Sequence, residues 1–329
     1  MDFKDKVILI TGGTGSFGSN FIRHFLKNKT PKRIRIYSRD EHKQADLLND
    51  EYYGGILDGF IGDVREKDRL RRAMEGVDIV IHAAALKRVQ SCEYNPFETV
   101  KTNIFGSMNV ADCAIDVGVE KVLAISSDKA VAPLNLYGAT KMCMEKLLIN
   151  ANNYRGKGKT KICCVRYGNV AGTRGSVIPL WYDYAAKKIP IPINNVNSTR
   201  FWFDMKDVVN FAIEVLELMD FANGGEIFVP KLPSFKIIDL FHAMFTQQDF
   251  TITGDRIGDK VHEILVLADE MKHTIDTTDK FIILPQDPHW EYLIKPKGVN
   301  CNGRPNYESG SNPEFLSIKE IQERLSKIG

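Results

Sequence analysis

The sequence predicts an α/β protein, a Rossmann-type doubly wound parallel sheet followed by a smaller, irregular C-terminal part. Three observations predict it. Short apolar runs alternate with segments of helical period through the first half. A glycine-rich turn directly follows the first run. The alternation then breaks after Asn169, where proline becomes frequent.

Each element follows from its pattern. "KVILIT" (6–11) is a short apolar strand, and "SFGSNFIRHFLKN" (16–28) spaces its apolar residues like a helix. "RIRIYS" (33–38) and "GFIGDV" (59–64) are the second and third strands, and "EKDRLRRAMEG" is a helix with a glycine stop. "VDIVIHAAA" is the fourth strand and "VEKVLAISS" (119–127) the fifth. A helix is expected over 137–154, then the strand "KICCVRYGN". Apolar strands alternating with helices imply a parallel sheet covered on both faces. Beyond it, "DMKDVVNFAIEVLELMD" is an amphipathic helix with Asp204 placed as N-cap, "GEIFVP" a strand, "SFKIIDLFHAMF" a helix, and the tail a loop ending in a helix. This gives a nucleotide-binding domain over 1–170 and a substrate domain over 171–329, with the helix near 204–220 expected to pack back on the first.

Composition narrows the function. The chain of 329 residues has 43% hydrophobic and 26% charged residues and a net charge of +2, which points to neither nucleic acid nor a membrane surface. Apolar runs such as "VDIVIHAAAL" are half the roughly 20 residues a bilayer requires. A cytoplasmic location is expected, with no anchor. The six cysteines form no C-x-x-C pair, so free thiols are expected and no metal site.

"TGGTGSFG" (11–18) fits T-G-x-x-G-x-x-G with Gly12, Gly15 and Gly18. Following a strand and opening a helix, it lets backbone approach a pyrophosphate at a helix N-terminus. Thr14, Ser16 and Phe17 belong to the same turn. The second strand ends in Ser38, Arg39 and Asp40, where Arg39, supported by Lys43, can pair with a 2'-phosphate; NADP is favoured over NAD. Asp63 can accept from an adenine amino group, with Val64 beside it. Ala83, Ala84 and Ala85 let backbone lie against the cofactor. His82 reads as a core histidine, and Lys87 is placed at the mouth of the site.

Tyr137 and Lys141 are one helical turn apart and share a face. An ammonium near the phenol favours its phenolate, which suits proton removal during hydride transfer. Asp128 and Lys129 lie between the strand-five serines and this tyrosine, where alcohol oxidation alone needs no such pair.

These motifs resemble the extended, sugar-nucleotide-modifying branch of the short-chain dehydrogenase/reductase superfamily. "ITGGTGSFG", "YSRDE", "IGDVR", "HAAALK", "EYNPFETVKTNIFGS", "DKA", "NLYGATK", "VRYGNVAGTRGSVIP", "TRFW", "GEIFVPK" and "KVHEILV" together resemble the inverting UDP-N-acetylglucosamine 4,6-dehydratases, which begin pseudaminic acid synthesis. The tail is looser, with "YESGSN" its best match. "RIGDK" stands where the family has R-P-G-E-K, and "KRVQ" where it has "KHVP".

The resemblance implies oxidation at C4 of the hexose, loss of water across C5–C6 and return of hydride to C6, giving a UDP-4-keto-6-deoxy-L-arabino-hexulose. It implies Lys129 as the C5 base if its pKa is lowered, Asp128 as the acid if burial raises its own, and Tyr137 at the C4 hydroxyl. It implies a recycled NADP, UDP-N-acetylglucosamine as substrate, and a homo-oligomer, a dimer or higher, with a hexamer among the options. Sugar-nucleotide contacts are expected from Lys87, Lys129, Asn169, Arg174, Ser176, Val177, Arg200, Arg256 and Tyr307. A UDP-sugar 4-epimerase or reductase, a C5-retaining dehydratase and a non-enzymatic NADP sensor remain as alternatives.

Overall fold

Mostly buried strands build the centre of the molecule, with the half-exposed Leu57–Ile61 at one edge. They are Val7–Thr11 (β1), Arg33–Ser38 (β2), Leu57–Ile61 (β3), Ile79–His82 (β4), Lys121–Ile125 (β5) and Lys161–Val165 (β6). In the computed structural model, which describes residues 2–173, 175–255, 258–286, 290 and 297–328, they run parallel in the order β3-β2-β1-β4-β5-β6. The order reverses between β1 and β4, and a doubly wound sheet opens its ligand crevice at that point. Ile227–Pro230 adds a parallel strand beside β6, and Lys280–Ile283, Thr274–Asp276 and Val299–Asn300 extend the sheet antiparallel. Residues after 170 thus complete the sheet that the first half begins.

Seven helices accompany the first five crossovers: Ser16–Asn28 (α1), Glu41–Leu48 (α2), Lys67–Met74 (α3), Val89–Tyr94 (α4), Pro96–Val100 (α5), Gly106–Val117 (α6) and Leu136–Asn150 (α7). A π-helical turn, Lys101–Phe105, joins α5 to α6. The apolar face of α6 packs inward through Val110, Ala111, Cys113 and Ala114. The helix Met205–Leu218 lies along α1, where Lys29 Nζ is 2.7 Å from Glu217 Oε1.

A second apolar cluster forms apart from the sheet. Trp181, Ile191, Trp202, Phe235, Phe241 and Ile321 pack together there. Thr199–Phe203 pairs antiparallel with Ser234–Lys236 and parallel with Asn169–Val170. All six cysteines are free thiols. Among the described residues no helix is long and apolar enough to cross a membrane.

Several boundaries differ from the pattern-based reading. Strand β3 ends at Ile61, because Gly62 turns away against the Tyr37 ring, where an added Cβ would lie 2.5 Å from it. Helix α7 stops at Asn150 and tightens into a 3-10 turn, Ala151–Tyr154. The segment 234–245 starts as strand, since Phe235 is drawn into the second cluster. Asp204 occupies the N-cap position but makes no cap bond; its carboxylate accepts from Trp202 Nε1 (2.9 Å) and from Arg324 (2.7 Å).

One buried ionic network crosses these layers. Arg166, just past β6, donates from Nε and Nη2 to Glu145 of α7 (3.0 and 2.7 Å) and from Nη1 and Nη2 to Glu270 (2.8 and 2.9 Å). Nη1 also donates to the Leu265 carbonyl at 2.9 Å. Removing one partner leaves an uncompensated buried charge. Arg166→Ala is therefore expected to lower stability by about 3–5 kcal/mol, read as a fall in the urea midpoint.

Candidate active site

The glycine turn lies directly on the end of β4. Gly12 has φ +67, and a Cβ there would meet Ala84 Cα at 2.9 Å. A Cβ on Gly18 would meet Gly13 Cα at 2.6 Å, so this glycine lets α1 seat against the turn. Behind the turn, Thr11 Oγ1 contacts His82 Nδ1 (2.8 Å) and His82 Nε2 contacts Ser107 Oγ (2.9 Å). Burial pushes His82 down to about 3, so it is a neutral brace in the core.

A cleft of about 370 Å³ opens at this switch point. Gly12, Thr14, Gly15 and Ser16 form one wall, and Ser38, Arg39, Asp40 and Lys43 line the end of β2. Asp63, Val64, Ala83, Ala84 and Lys87 line the ends of β3 and β4. Phe17 does not line it; its ring packs 5.8 Å from that of Phe21. The cleft fits a dinucleotide: glycine backbone is exposed to it, and Thr102 Oγ1 on its wall is buried with no hydrogen-bond partner among the described residues. Asp40 is engaged by Lys43, whose N–H donates to it at 3.0 Å and whose ammonium pairs with it. Arg39 stays 60% exposed, 3.7 Å from Asp63. Burial pushes the Asp63 carboxyl up, but Arg65, donating at 2.9 and 2.7 Å, leaves it below the usual carboxylate range.

The second half of the site sits beyond β5. Ser127 caps a 3-10 turn, Asp128–Ala130, by accepting from Lys129 N, and its Oγ donates to Asp128 Oδ1 at 2.8 Å. The Asp128 N–H donates to the Tyr167 carbonyl at 3.0 Å, which fixes the turn against the end of β6. Lys129 Nζ donates to Asp128 Oδ2 (3.1 Å) and to Glu263 Oε1 (2.7 Å). Helix α7 then starts beneath: Asn135 Oδ1 accepts from Gly138 N at 2.8 Å, and the N–H of Leu136 donates to Glu93 at 2.6 Å. Gly138 lies so close under the turn that a Cβ on it would fall 2.2 Å from the Lys129 carbonyl oxygen.

The protonation states differ in part from expectation. Burial raises the Asp128 carboxyl, the direction a proton donor needs. For Lys129, burial pulls the ammonium down, but Asp128 and Glu263 outweigh it and hold the pKa above the ordinary lysine value. Among the described residues the balance runs against the lowering expected from desolvation, because two carboxylates share one ammonium. Tyr137 is pushed up to about 12, by burial first, with a hydrogen bond to Ser127 opposing. Lys141 is pulled down by burial to about 8. Its Nζ donates to the Ile125 carbonyl (2.5 Å) and to Met144 Sδ (3.1 Å), and among the described residues it makes no hydrogen bond to the Tyr137 phenol. The expected phenolate stabilisation through Lys141 is thus not seen here.

The expected sugar-nucleotide residues divide. Asn169 is exposed on its short strand. Ser176 precedes the helix Val177–Ala186, and its Oγ is buried with no partner among the described residues. Val177 packs on the second cluster. Arg200 is already engaged: Nη1 donates to the Thr199 (2.7 Å) and Val261 (3.0 Å) carbonyls, and Nε lies 3.5 Å from Glu263. Tyr307 is a clamp in the fold, its hydroxyl accepting from Leu232 N (2.7 Å) and donating to Leu232 O (3.1 Å). It was expected at the sugar, but that hydroxyl is spent on backbone. Arg174 and Arg256 lie outside the described residues.

Sequence reasoning assigned no role to three residues that line the cleft: Tyr37, Gly62 and Thr102. Tyr37 donates its hydroxyl to the Asp63 carbonyl at 2.9 Å. Asn103 was missed too; its amide grips both the N–H and C=O of Leu86 and donates to Thr140 (3.0 Å), tying the chain after β4 to α7. Glu263, 1% exposed, was the largest omission. Its signal was a carboxylate placed directly before the apolar run "ILV".

Two outcomes test this geometry. Gly138→Ala must displace the turn that carries Lys129, costing about 1–3 kcal/mol of stability and at least about tenfold in kcat. Steady-state rates and melting curves would read both. For Lys141, the folded pKa of about 8 lies below the unfolded value of about 10.4. Between these values the unfolded chain binds more protons, so stability rises with pH there and is level below about 8. Urea titrations across that window should show wild type gaining on Lys141→Met as pH rises; a constant difference would contradict the assignment.

Comparison with known proteins agrees with the geometry. A family described as polysaccharide biosynthesis protein matches residues 8–285. The chain is 44% identical over 332 residues to a Campylobacter jejuni protein named UDP-N-acetylglucosamine 4,6-dehydratase (inverting), covering 98% of each. It is also 41% identical to a Rickettsia rickettsii protein named UDP-glucose 4-epimerase, covering 98% of this chain and 96% of that one. Among solved structures, Pen from Bacillus thuringiensis superposes with a TM-score of 0.88 at 35% identity, over 99% of this chain and 100% of that one. The chain belongs to the polysaccharide biosynthesis protein family, within the extended short-chain dehydrogenase/reductases that include the inverting UDP-N-acetylglucosamine 4,6-dehydratases.

Proposed function

We propose that the protein is an NADP-dependent, C5-inverting UDP-N-acetylglucosamine 4,6-dehydratase, a hydro-lyase. The observation that carries this reading is the ion pair of buried Asp128 with part-buried Lys129, set beside Tyr137 past the end of β5. A nicotinamide held in the cleft supplies hydride acceptance at C4 and hydride return at C6. The chain's own residues handle the protons. Tyr137 takes the C4 hydroxyl proton, Lys129 takes the proton on C5 that the ketone acidifies, and Asp128 protonates the departing C6 oxygen. An epimerase needs Tyr137 and Lys141 only, and an acid–amine pair has no task in it.

Arg39 supports NADP, since it faces the cleft while Asp40 is held by Lys43. Residues after 170 that form the second cluster make the sugar-facing domain. A homo-oligomer is supported by apolar side chains left exposed at α4 to α6, Tyr94 at 88% and Phe97 at 78% among them. A cytoplasmic enzyme feeding pseudaminic acid, or a related surface amino sugar, fits this chemistry.

Incubation with UDP-N-acetylglucosamine in heavy water, followed by NMR, should show a 4-keto-6-deoxy sugar inverted and deuterated at C5. A 4-epimer without ketone, or retained configuration, would replace this reading. Lys129→Ala should abolish the ketone product. Arg39→Ala should cut preference for NADP over NAD by about 10–100-fold, as for loss of a charge-assisted hydrogen bond.

A further inference from the structure

Glu263 has no part in the scheme above, yet it is the most deeply buried group of the catalytic cluster. It reaches the site from residues far along the chain, just before the strand Ile264–Val266. Its Oε1 accepts from Lys129 Nζ at 2.7 Å, a shorter contact than the 3.1 Å from Lys129 to Asp128. Its Oε2 is buried and has no hydrogen-bond partner among the described residues. Its backbone N–H donates to Ser309 Oγ at 2.9 Å, so the side chain is aimed by a fixed segment.

The groups facing Glu263 come from four elements. They are Asp128 and Lys129 of the 3-10 turn, Arg200 of the strand Thr199–Phe203, Lys260 of the preceding loop and the Ser309 hydroxyl. The cations hold Glu263 ionised, and the carboxylates Asp128 and Glu263 hold Lys129 protonated at rest. A protonated lysine cannot remove a C5 proton, so the scheme requires somewhere for the lysine's proton to go.

We propose that Glu263 is a positioning residue that holds the Lys129 amine toward the sugar and receives the proton this amine must shed. The inference rests on the dehydratase reading. One N–H bond of the Lys129 ammonium breaks and one O–H bond forms on Glu263, leaving a neutral amine beside a neutral acid with no change in total charge. The amine nitrogen then bonds to the C5 proton, and the electron pair of that C–H bond passes into the enolate of the C4 ketone. Two features favour the transfer when sugar arrives. The Lys129 side chain is 21% exposed, so a bound sugar removes the water that sustains its charge. A carboxylate with one oxygen buried and unpaired is a poorly solvated anion, and it gains by taking a proton.

The test compares wild type with Glu263→Gln and Glu263→Asp, each loaded with NADP and given UDP-N-acetylglucosamine. Glutamine keeps the size and can still face Lys129, but it cannot accept a proton. Glu263→Gln should still oxidise C4, seen as reduced-nicotinamide absorbance in a single turnover, because Tyr137 does not depend on Glu263. It should lose C5–H exchange and the 4-keto-6-deoxy product by about 100-fold or more. Glu263→Asp, which keeps the carboxylate, should recover part of that loss.

A purely electrostatic hold predicts the opposite for Glu263→Gln. Removing the negative charge would free the amine more easily and move the acid limb of the pH–rate profile to lower pH without loss of rate. That result would overturn the proposal, as would equal loss of oxidation and elimination, which marks a merely structural role. If wild type itself makes no ketone from this sugar, the dehydratase reading fails before Glu263 is at issue.

Discussion

The chain segment 263–270 is pinned at both ends by buried ion pairs, and the site depends on that constraint. At one end Glu263 meets Lys129; at the other Glu270 meets Arg166, which also grips Glu145 of α7. Lys129 and α7 are the two carriers of the catalytic groups. One short segment therefore sets the turn beyond β5 and the helix bearing Tyr137 and Lys141 in a common frame. Ionic contacts suit this task better than apolar ones. Their desolvation cost is high unless geometry is met, so alternative arrangements leave a buried charge unpaired and are strongly disfavoured.

The same frame explains why glycine stands at position 138. The α7 N-terminus must run directly beneath the Lys129 carbonyl, and no side chain fits between them. The route out of this turn is also tight. Ala132 adopts φ +41, an uncommon conformation for alanine, and the Val131 carbonyl accepts from Lys260. Strain of this kind persists where the surroundings over-determine the backbone, and here three elements do so.

The sheet was legible because burial on both faces leaves a plain mark, continuous apolar runs of about five residues. The glycine turn and the Tyr137–Lys141 spacing were legible because both are local, needing only sequence neighbours. What stayed hidden was non-local. Glu263 is 134 residues from Lys129, and nothing in "KVHEILV" says which cation it will meet. Arg200 and Tyr307 carried the right chemistry for a sugar nucleotide, but folding spends the tyrosine hydroxyl and most of the guanidinium on nearby carbonyls and on Glu263. The strands after residue 170 were also hard to place, since a short strand does not announce which sheet it joins.

The departures from the family pattern can now be placed. In "RIGDK", the Gly258 carbonyl accepts from Asn135, the residue that caps α7, and a Cβ on Gly258 would lie 2.8 Å from the Asn135 Cβ. Asp259 accepts from Asn194 at 3.0 Å, and Lys260 reaches the turn after Lys129. In "KRVQ", Arg88 precedes α4 and lies 3.7 Å from where a Gly175 side chain would begin. Both stretches border the reacting groups without supplying one. Ile257, which stands where R-P-G-E-K has its proline, lies outside the described residues. Asp128, Lys129, Tyr137 and Glu263, to which the proposed scheme gives the proton transfers, stand outside both stretches.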